Sequence, residues 1–457
     1  MSADLLRALT DIVGGNDVLS GDKIADDYSH DEALTVAHQV PAAVVRPATT
    51  AEVSQILQFA NGAGVAVTAR GSGTGLSGAA QPQPDGIVIS FERMNRVLEI
   101  DEENHVAVVQ PGVTLAELDE VTAGHGLVYP VYPGEYSASL GGNVATNAGG
   151  MRAVKYGVTR TQVLGLEAVL ANGDVIRTGG RFVKSSTGYD LTQLVIGSEG
   201  TLALVTEATL KLYPRPAYSA TVLAPFTALD DVMHAVPRIV ASGVGPLILE
   251  YIDTLTMAGM TRTMGADLGV PEDVKAATVA YLVVMMENAK DERLDEDVQA
   301  VCEHLVELGA LDAFVLPSTA ATQLIEAREK AFWLAKAADA DDIVDVVVPR
   351  AAIAEFMASV ADLAASHGTF VAGCGHAGDG NVHMSVFQKD DEVRHKFLRG
   401  FFELGMSLGG AISGEHGVGR AKKKYFLELE DPVKVDLMRR IKDAFDPNHI
   451  LNPGVLF

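Results

Sequence analysis

Apolar and polar residues alternate in short runs from about residue 40 to residue 215. The runs "AAVVRP", "VAVTARG", "GIVISF" and "VAVVQPG" are rich in β-branched residues and lie next to glycine or proline, which is typical of short β-strands. One helix is predicted among them, in "TTAEVSQILQFANGAG", because its apolar residues recur with a helical period between a cap at Thr50 and a stop at Gly62. The pattern therefore predicts a β-rich region with one clear helix.

From about residue 217 to residue 412, helical and strand patterns alternate. "LDDVMHAVPRIVASG" and "AAIAEFMASVADLAASHG" have helical periodicity, whereas "GPLILEYID" and "VAYLVVMM" resemble strands. Alternation of this kind predicts a sheet covered by helices. A predicted helix in "DPVKVDLMRRIKDAFDP" and a tail, "NHILNPGVLF", follow. Because 457 residues exceed one ordinary core, two or three domains are expected.

The composition excludes several classes of function. The formal net charge is -25 at pH 7, so neither a nucleic acid nor an anionic lipid surface is an expected partner. The two cysteines, Cys302 and Cys374, are too few for a disulfide framework and indicate a reducing compartment. No apolar run is long enough to span a bilayer, and the N-terminus resembles a short amphipathic helix rather than a signal peptide. We expect a soluble, cytoplasmic protein, with peripheral membrane attachment left open.

The segment "RGSGTGLSGAA" contains a literal G-x-G-x-x-G at Gly73, Gly75 and Gly78. In a dinucleotide-binding fold this motif is followed at once by a helix. Here Pro82 and Pro84 interrupt the short interval before the next strand, so no helix fits and NAD is not the expected electron acceptor. The remaining alternatives are an ordinary glycine turn and a nest, in which consecutive backbone N–H groups bind an anion.

Two further glycine-rich segments weaken the alternative of an ordinary turn. "SASLGGNVATNAGGMRAVKYG" extends from Ser137 to Gly157, and "GSEGTLALVTEATLKL" begins at Gly197. Glycine pairs among small residues admit a flat ligand, and Asn143 and Asn147 offer amide hydrogen bonds. The recurrence of such segments favours a ligand-binding role.

Two other glycine-rich segments carry side chains of the types that can bind metals. "GHAGDGNVH" contains His376, Asn381 and His383, and "ISGEHGVGR" contains Glu415 and His416. In a strand, Asn381 and His383 are two residues apart and share a face. Two histidines and one carboxylate suit a borderline ion such as Zn²⁺, Mn²⁺ or Fe²⁺, although each histidine alone is more often structural.

The order of the first three glycine-rich segments resembles that in the FAD-binding domain of the vanillyl-alcohol oxidase superfamily. The motifs "CGHAGDGNVHMSV", "ISGEHGVGRAKK" and "FDPNHILNPG" resemble the C-terminal part of FAD-linked D-2-hydroxy acid dehydrogenases, which include D-lactate dehydrogenases, the flavin subunit of glycolate oxidase and D-2-hydroxyglutarate dehydrogenases. The resemblance covers almost the whole chain. It implies a two-domain α+β fold with a split FAD-binding domain (residues 1–216, core 40–215), an α/β substrate domain (217–412) and a C-terminal segment (413–457) that returns to the FAD domain.

The resemblance also implies which residues contact FAD. Members that bind FAD covalently use a histidine or a cysteine, and the first glycine-rich segment here contains neither, so a non-covalent flavin is expected. The implied contacts are Arg70, Gly71, Ser72, Gly73, Thr74, Gly75, Leu76, Ser77, Pro133, Ser137, Leu140, Gly141, Gly142, Asn147, Ala148, Gly149, Gly150, Tyr156, Gly157, Glu199, Gly200, Leu202, Val205 and Asn452.

For the polar residues, the resemblance implies that His376, His383 and Glu415 bind a divalent metal, Zn²⁺ or Mn²⁺, and that His416 is the general base. A 2-hydroxy acid could then chelate the metal, lose its hydroxyl proton to His416 and lose a hydride from C2 to the flavin. Cys374 is expected to be a packed small side chain, with a role as a fourth ligand left open.

Arg328 and Asn381 are the implied contacts of the substrate, with Arg328 gripping its carboxylate. The alternative for Arg328 is a solvated helix face, because charged residues surround it in "IEAREKAFW". Residues Lys422 to Lys424 are expected to be surface charge.

One position, that of Ile343, narrows the choice of substrate. Members specific for 2-hydroxyglutarate tend to carry a basic residue two places ahead of the aspartate of "DVVVPR", where this chain has Ile343. A second substrate carboxylate would be buried there without a cation, which is costly, so D-lactate or glycolate is favoured and D-2-hydroxyglutarate is the alternative. The electrons are expected to pass to a quinone, a cytochrome or an electron-transfer flavoprotein. A homodimer is left open.

Other functions remain open at this level. The chain could be the flavin subunit of a multi-subunit glycolate oxidase. A non-flavin Fe(II) oxygenase or metallohydrolase would use two histidines and one carboxylate without FAD. An aryl or alkyl transferase on the same flavin fold would not need the metal-binding trio.

Overall fold

The computed structural model describes residues 3–265 and 267–457. Within them the strands, numbered β1 to β18 in chain order, are Val18–Leu19, Ala43–Val45, Val67–Arg70, Ile87–Ser90, Val97–Asp101, Val106–Val109, Leu127–Val128, Val163–Leu170, Val175–Gly179, Ala203–Lys211, Tyr213–Pro214, Tyr218–Phe226, Ile248–Asp253, Ala280–Asn288, Phe314–Val315, Asp342–Val347, Phe370–His376 and Asn381–Phe387. The helices α1 to α17 are Ala3–Val13, Thr50–Ala63, Leu115–Ala123, Leu140–Thr146, Ala153–Tyr156, Thr159–Gln162, Leu191–Val195, Leu229–Ala241, Thr254–Met264, Glu272–Ala277, Asp291–Glu307, Ser318–Glu329, Ala331–Ala337, Ile353–Ser366, Asp391–Ser407, Lys423–Leu429 and Pro432–Phe445.

Two sheets dominate the N-terminal half. Strands β1, β2, β4 and β3 lie in that order in a mixed sheet, in which β4 is parallel to both of its neighbours. Strands β5, β6, β10, β8 and β9 form an antiparallel sheet. Val169 and Leu204 of the second sheet belong to the same buried apolar cluster as Ile87 of the first. The prediction of a β-rich region is confirmed.

A seven-stranded antiparallel sheet dominates the C-terminal half, in the order β15, β12, β14, β13, β17, β18 and β16. Side chains alternate between its two faces: Leu282 and Val284 of β14 pack in one apolar core, whereas Tyr281 and Val283 pack in another. Helices α8, α11, α14 and α15 contribute to the first core, and α9 and α12 contribute to the second. The predicted helix-covered sheet is therefore present, and the α+β class is confirmed.

The helix predicted in the N-terminal half is α2, but its boundaries differ from the predicted ones. Its cap is Thr49 rather than Thr50, because the Thr49 hydroxyl accepts a hydrogen bond from the backbone N–H of Glu52 at 3.2 Å. Its stop is Gly64 rather than Gly62, because Gly64 takes the left-handed conformation that ends a helix (φ 64°).

The N-terminal half also contains more helix than was predicted. Helix α3 begins at a capping box formed by Thr114 and Glu117, a T-x-x-E signal that is present in the sequence. Helix α4 lies inside the second glycine-rich segment, where the Ser139 hydroxyl caps its first turn. Leu140 and Val144 of this helix are buried, so packing outweighs the low helix propensity of its glycines. None of the helices in the described residues is both long and apolar enough to cross a bilayer.

The C-terminal tail adds to the edge of the four-stranded sheet. Leu451 pairs with Val67 of β3 in a parallel bridge, and the Val67 N–H donates to Ile450 O at 2.7 Å. The buried Lys442 ammonium donates to Thr201 O at 2.8 Å and to Leu451 O at 2.9 Å. These bonds fix the tail against the third glycine-rich segment, which contains β10.

Glu199 and Asn452 tie the third glycine-rich segment to the C-terminal part of the chain. The buried Glu199 carboxylate accepts the backbone N–H groups of Val418 at 2.9 Å and of Gly419 at 2.8 Å. The Asn452 amide donates to Glu199 O at 2.7 Å and to Ala79 O at 2.8 Å. Burial raises the pKa of Glu199 to about 7, although the two N–H groups act in the opposite direction.

Substitution Glu199→Gln tests this carboxyl group. Because the folded-state pKa lies above the unfolded-state value of 4.5, the folded state binds the proton more tightly, and the stability that this gives is lost as the pH rises towards 7. The free energy of unfolding of the wild-type chain should fall relative to that of Glu199→Gln by up to about 3 kcal/mol over this range. Urea unfolding at a series of pH values measures the fall, with the exposed Glu403→Gln as control. Parallel pH profiles of wild type and Glu199→Gln would contradict the prediction.

Candidate active site

One cavity is lined by all three glycine-rich segments of the N-terminal half. Gly71 to Leu76 line it from the first segment, and Glu199 and Gly200 line it from the third. The second segment contributes several residues between Ser139 and Gly149, among them Gly142, Ala148 and Gly149. The first of these segments leaves the sheet where β3 ends at Arg70. The fold therefore brings together segments that are far apart in the sequence.

The first glycine-rich segment has the features of an anion-binding nest. None of the backbone N–H groups from Gly71 to Leu76 donates a hydrogen bond to the described residues. Gly73 has a positive φ of 75°, and a Cβ added to Gly71 would lie 1.9 Å from the Ser139 hydroxyl oxygen, so no side chain fits there. Free N–H groups in a glycine-lined cavity fit the pyrophosphate of FAD. No helix lies between Gly78 and β4, which agrees with the rejection of a Rossmann motif.

The predicted FAD contacts divide into two groups. Those that line the cavity are Gly71, Ser72, Gly73, Thr74, Gly75, Leu76, Pro133, Gly142, Ala148, Gly149, Glu199, Gly200 and Asn452. Those outside its lining are Arg70, Ser77, Ser137, Leu140, Gly141, Asn147, Gly150, Tyr156, Gly157, Leu202 and Val205; Gly141 and Val205 line a smaller cavity that shares Gly71, Gly142 and Gly200 with the first.

Two residues outside the lining have identifiable partners elsewhere. The Arg70 guanidinium donates to His30 O at 2.6 Å and lies over the Tyr28 ring. The buried Ser77 hydroxyl donates to His416 O at 2.9 Å. These side chains support the cavity wall from behind.

Several lining residues were not predicted. Asp31 comes from the N-terminal segment, where its carboxylate accepts the N–H groups of Ala33 at 3.1 Å and of Ala80 at 3.3 Å. The segment around Asp31 has no regular apolar period, so no local signal in the sequence indicated that Asp31 lines the cavity. The other unpredicted lining residues include Glu135, Ala145 and Thr146.

A second cavity of about 350 Å³ meets the first, and both are lined by Leu76, Pro133, Glu415 and His416. Much of its wall is apolar. The apolar lining side chains include Leu255, Ala258, Phe332, Ala335, Ile343, Ala372 and Phe387, and the polar ones include Arg328, His376, His383, Glu415 and His416.

His376, His383 and Glu415 converge at the junction of the two cavities. His376 is the last residue of β17, and His383 lies in the adjacent β18, opposite Cys374. The Nε2 atoms of His376 and His383 lie 3.1 Å and 3.2 Å from the same atom, Glu415 Oε1. One ligand atom from each of the three residues lies within 4.8 Å of the others.

The charges around this trio suit a cation. Burial lowers the pKa of His376, but the Glu250 and Glu415 carboxylates outweigh it and raise the pKa to about 10. Burial would raise the pKa of Glu415, but His376 and His383 hold it well below its ordinary value. The buried Glu415 Oε2 has no hydrogen-bond partner in the described residues. A divalent cation could replace the proton on His376 and satisfy this oxygen.

Glu250 supports the trio from β13. Its Oε1 lies 2.6 Å from His376 Nδ1, which fixes the ring and directs Nε2 towards Glu415. Its Oε2 lies 2.7 Å from an Arg328 terminal nitrogen. Arg328 is 8% exposed, so the alternative of a solvated helix face is wrong. Helix α12 packs on the sheet through Ala320, Leu324 and Ala327, and Arg328, near its end, faces the second cavity.

Asp345, in β16, holds the loop that carries Glu415 and His416. Its Oδ2 accepts the backbone N–H groups of Gly414 at 2.7 Å and of Glu415 at 2.8 Å. Its Oδ1 accepts the Ser413 hydroxyl at 2.8 Å and pairs with Lys422. Lys422 is therefore buried, and the expectation that it is surface charge was wrong, because the Asp345 carboxylate compensates its ammonium group.

Close contacts explain two glycines of the site. A Cβ added to Gly414 would lie 2.6 Å from the Asn381 amide, and one added to Gly149 would lie 2.7 Å from Glu415 Oε2. Asn381 is buried beside the loop and lines neither cavity. The glycine-rich backbone therefore lets the loop that carries Glu415 and His416 approach both β18 and the glycine-lined cavity.

His416 lines both cavities and is neutral. Burial lowers its pKa to about 4, against the opposing effect of Asp345. Its Nδ1 lies 3.4 Å from Asp345 Oδ1 without a hydrogen bond between the two atoms, and its Nε2 makes no hydrogen bond with the described residues. The negative charge of the nearby carboxylate favours the tautomer with the proton on Nδ1, which leaves the Nε2 lone pair free to accept a proton.

Two family models match the chain. The FAD binding domain matches residues 41–179, and the C-terminal domain of FAD linked oxidases matches residues 215–456. An uncharacterized FAD-linked oxidoreductase of Mycobacterium tuberculosis is 60% identical over 100% of this chain and 99% of its own length. The glycolate oxidase subunit GlcD of Bacillus subtilis is 40% identical (94% and 92% covered), and the D-lactate dehydrogenase of Anaerostipes hadrus is 37% identical (96% and 94% covered).

Among solved structures, p-cresol methylhydroxylase with substrate bound is similar, with a TM-score of 0.80 and 19% identity over 99% of this chain and 96% of the other. At this identity the similarity concerns the fold, which is the vanillyl-alcohol oxidase type expected from the glycine-rich segments.

Substitution Asp345→Asn should destabilise the chain strongly. The change keeps the shape of the side chain but leaves the Lys422 ammonium buried without a carboxylate, which costs about 3–5 kcal/mol. Asp339→Asn is the matched control, because Asp339 pairs with Lys389 at the surface and such pairs contribute at most about 1 kcal/mol. Urea unfolding measures both values. Equal losses in the two variants would show that Asp345 does not anchor the loop.

Proposed function

The chain belongs to the family of FAD-linked oxidases, and we propose that it oxidises a small D-2-hydroxy acid, with D-lactate or glycolate favoured, to the 2-oxo acid. Its class, an FAD-dependent oxidoreductase, follows from the family. The observation that supports the substrate class is the convergence of His376, His383 and Glu415 beside Arg328 and His416, where the glycine-lined cavity meets the second cavity.

Arg328 would bind the substrate carboxylate. Its guanidinium is engaged on one side by Glu250, and its buried Nε has no hydrogen-bond partner in the described residues. A buried donor without a partner is costly, so a carboxylate at this place would be bound strongly. The proposal extends to the ligands of the metal: His376, His383 and Glu415 would hold a divalent ion, for which Zn²⁺ and Mn²⁺ are the candidates.

His416 would accept the hydroxyl proton. It is neutral, and its Nε2 is free at the junction of the two cavities. The Asp345 carboxylate would stabilise the imidazolium that forms, because it lies 3.4 Å from Nδ1. The chemistry supplied by bound FAD would be acceptance of a hydride, and that supplied by the divalent ion would be acidification of the 2-hydroxyl group.

The second cavity would also set the substrate's size and charge. Around Ile343, Phe332 and Phe387 the wall is apolar, and a second carboxylate placed there would lie unpaired unless it reached Arg262, which lines the same cavity. This favours a monocarboxylate over 2-hydroxyglutarate. The electrons would leave to a quinone, a cytochrome or an electron-transfer flavoprotein.

Two substitutions in adjacent positions separate the metal from the base. Glu415→Gln should lower the metal content, because an amide is a poorer ligand than a carboxylate, and added Zn²⁺ or Mn²⁺ should partly restore flavin reduction. His416→Ala should keep the metal and FAD but slow flavin reduction by roughly 10²-fold or more, the usual contribution of a general base. Metal analysis and single-turnover flavin bleaching with D-lactate or glycolate measure both. If His416→Ala loses its metal while Glu415→Gln retains it, the two roles are exchanged; if bleaching is unaffected in both, the mechanism is wrong.

Substitution Ile343→Lys tests the assignment of the substrate. A cation at this place could pair with a second carboxylate, so kcat/KM for D-2-hydroxyglutarate relative to D-lactate should rise by roughly tenfold or more, the effect of a hydrogen bond to a charged group. Ile343→Met is the control, because it changes the shape of the wall without adding charge. A wild-type chain that prefers D-2-hydroxyglutarate would overturn the proposed substrate.

A further inference from the structure

A second group of metal-ligating side chains lies on the N-terminal segment, outside the candidate active site. Asp26, His30 and His38 offer one carboxylate oxygen and two imidazole nitrogens that all lie within 4.8 Å of one another. Asp26 and His38 are exposed and His30 is half-buried. None of the three lines either cavity of the candidate active site.

The contacts of the His30 ring indicate which nitrogen carries its proton. Nδ1 faces a carbonyl oxygen, and Nε2 faces a carboxylate oxygen. His30 Nδ1 lies 2.9 Å from Asp31 O, and a carbonyl oxygen can only accept, so Nδ1 carries the proton. In the neutral ring, Nε2 then has a lone pair, and this atom lies 3.6 Å from Asp26 Oδ2. A lone pair and a carboxylate oxygen repel each other unless a proton or a metal ion lies between them. Ligand atoms of a tetrahedral ion with bonds of about 2.0–2.1 Å are about 3.4 Å apart, so the observed separation is close to that of a coordinated pair.

His38 adds a second imidazole at the same place. Its ring is stacked on that of His30, with centroids 3.8 Å apart and an interplanar angle of 17°. Because the lone pairs of an imidazole lie in the plane of its ring, stacked rings do not direct both lone pairs at one ion, and the His38 ring would have to rotate to bind a cation together with His30. Because Asp26 and His38 are exposed, rotation of their side chains could close the remaining distance.

The surrounding charges favour a cation. Asp27, Asp31 and Glu32 follow or flank the ligand residues in the sequence. Two positive groups oppose them: the Arg70 guanidinium, which binds His30 O, and the Lys336 ammonium, which pairs with Glu32 at 2.6 Å. We propose that Asp26, His30 and His38 form a second metal site, for a divalent transition ion of the zinc class, for which imidazole and carboxylate are suitable ligands.

The position of this site gives it a structural consequence. Asp31, next to His30, lines the glycine-lined cavity, and the Glu32 N–H donates to Gly75 O at 2.8 Å. A bound ion would cross-link two parts of the N-terminal segment and hold this wall against the first glycine-rich segment.

Zinc titration of the metal-free full-length chain tests the proposal. Calorimetry on wild type and on His38→Ala should give about one equivalent of Zn²⁺ fewer for the variant. His234→Ala is the matched control, because His234 is also exposed beside a carboxylate, Asp230, at 3.3 Å, and it should bind as much as wild type. Asp26→Asn, which preserves the shape of the side chain, should weaken the same equivalent, and thermal unfolding without metal checks that all variants fold.

The zinc titration tests the second metal site separately from the proposed function. Glu415→Gln should weaken the binding of the other equivalent, so its combination with His38→Ala should leave neither equivalent bound as tightly as in wild type. If His38→Ala and wild type bind equal amounts of Zn²⁺, the second metal site does not exist. If His38→Ala loses one equivalent while Glu415→Gln loses none, the second site is supported and the proposed active-site metal is overturned.

Discussion

The buried carboxylate of Asp345 is the constraint on which the candidate chemistry depends. Taking a charge out of water is costly unless it is paired and hydrogen-bonded, and here Lys422, the Ser413 hydroxyl and consecutive backbone N–H groups supply the compensation. Those N–H groups belong to the loop that carries Glu415 and His416. The same interaction that makes the buried charge tolerable therefore fixes the positions of a candidate ligand and a candidate base. A loop of this glycine content would otherwise have many conformations.

Charges of opposite sign alternate through the rest of the site. Arg328 pairs with Glu250, Glu250 with His376, and His376 with Glu415. Each group lowers the electrostatic cost of burying the next, so the site tolerates many ionisable groups in a small volume. The two carboxylates also orient the His376 ring, because Nδ1 is directed at Glu250 and Nε2 at Glu415. Chemistry and stability are therefore coupled in this region, and removal of one member leaves its neighbours unpaired.

The predictable part of the structure was the part with a local signal. The β-rich half and the helix-covered sheet follow from residue periods. Residue types in the glycine-rich segments indicated a metal site of two histidines and one carboxylate, and the family resemblance implied that these are His376, His383 and Glu415. Asp345 and Glu250 lie in ordinary strand sequences and Lys422 lies in the turn before α16. Their importance arises from contacts with residues far away in the chain, which no local pattern encodes. Helix α4 was missed for a related reason, since tertiary packing outweighs the low propensity of its glycines. Its neighbour α3 had a recognisable capping box and was predictable.

The bond between the tail and β3 has a consequence for biosynthesis. Thr68 and Asn452 are 384 residues apart in the sequence, yet their side chains meet beside the cofactor cavity. During translation from the N-terminus, the strands and glycine-rich segments of the first half emerge long before the residues that close their edge. The nascent chain therefore exposes an incomplete binding region while the seven-stranded sheet is still being made. Because Asn452 belongs to the lining of the glycine-lined cavity, that cavity is complete only after the tail has left the ribosome.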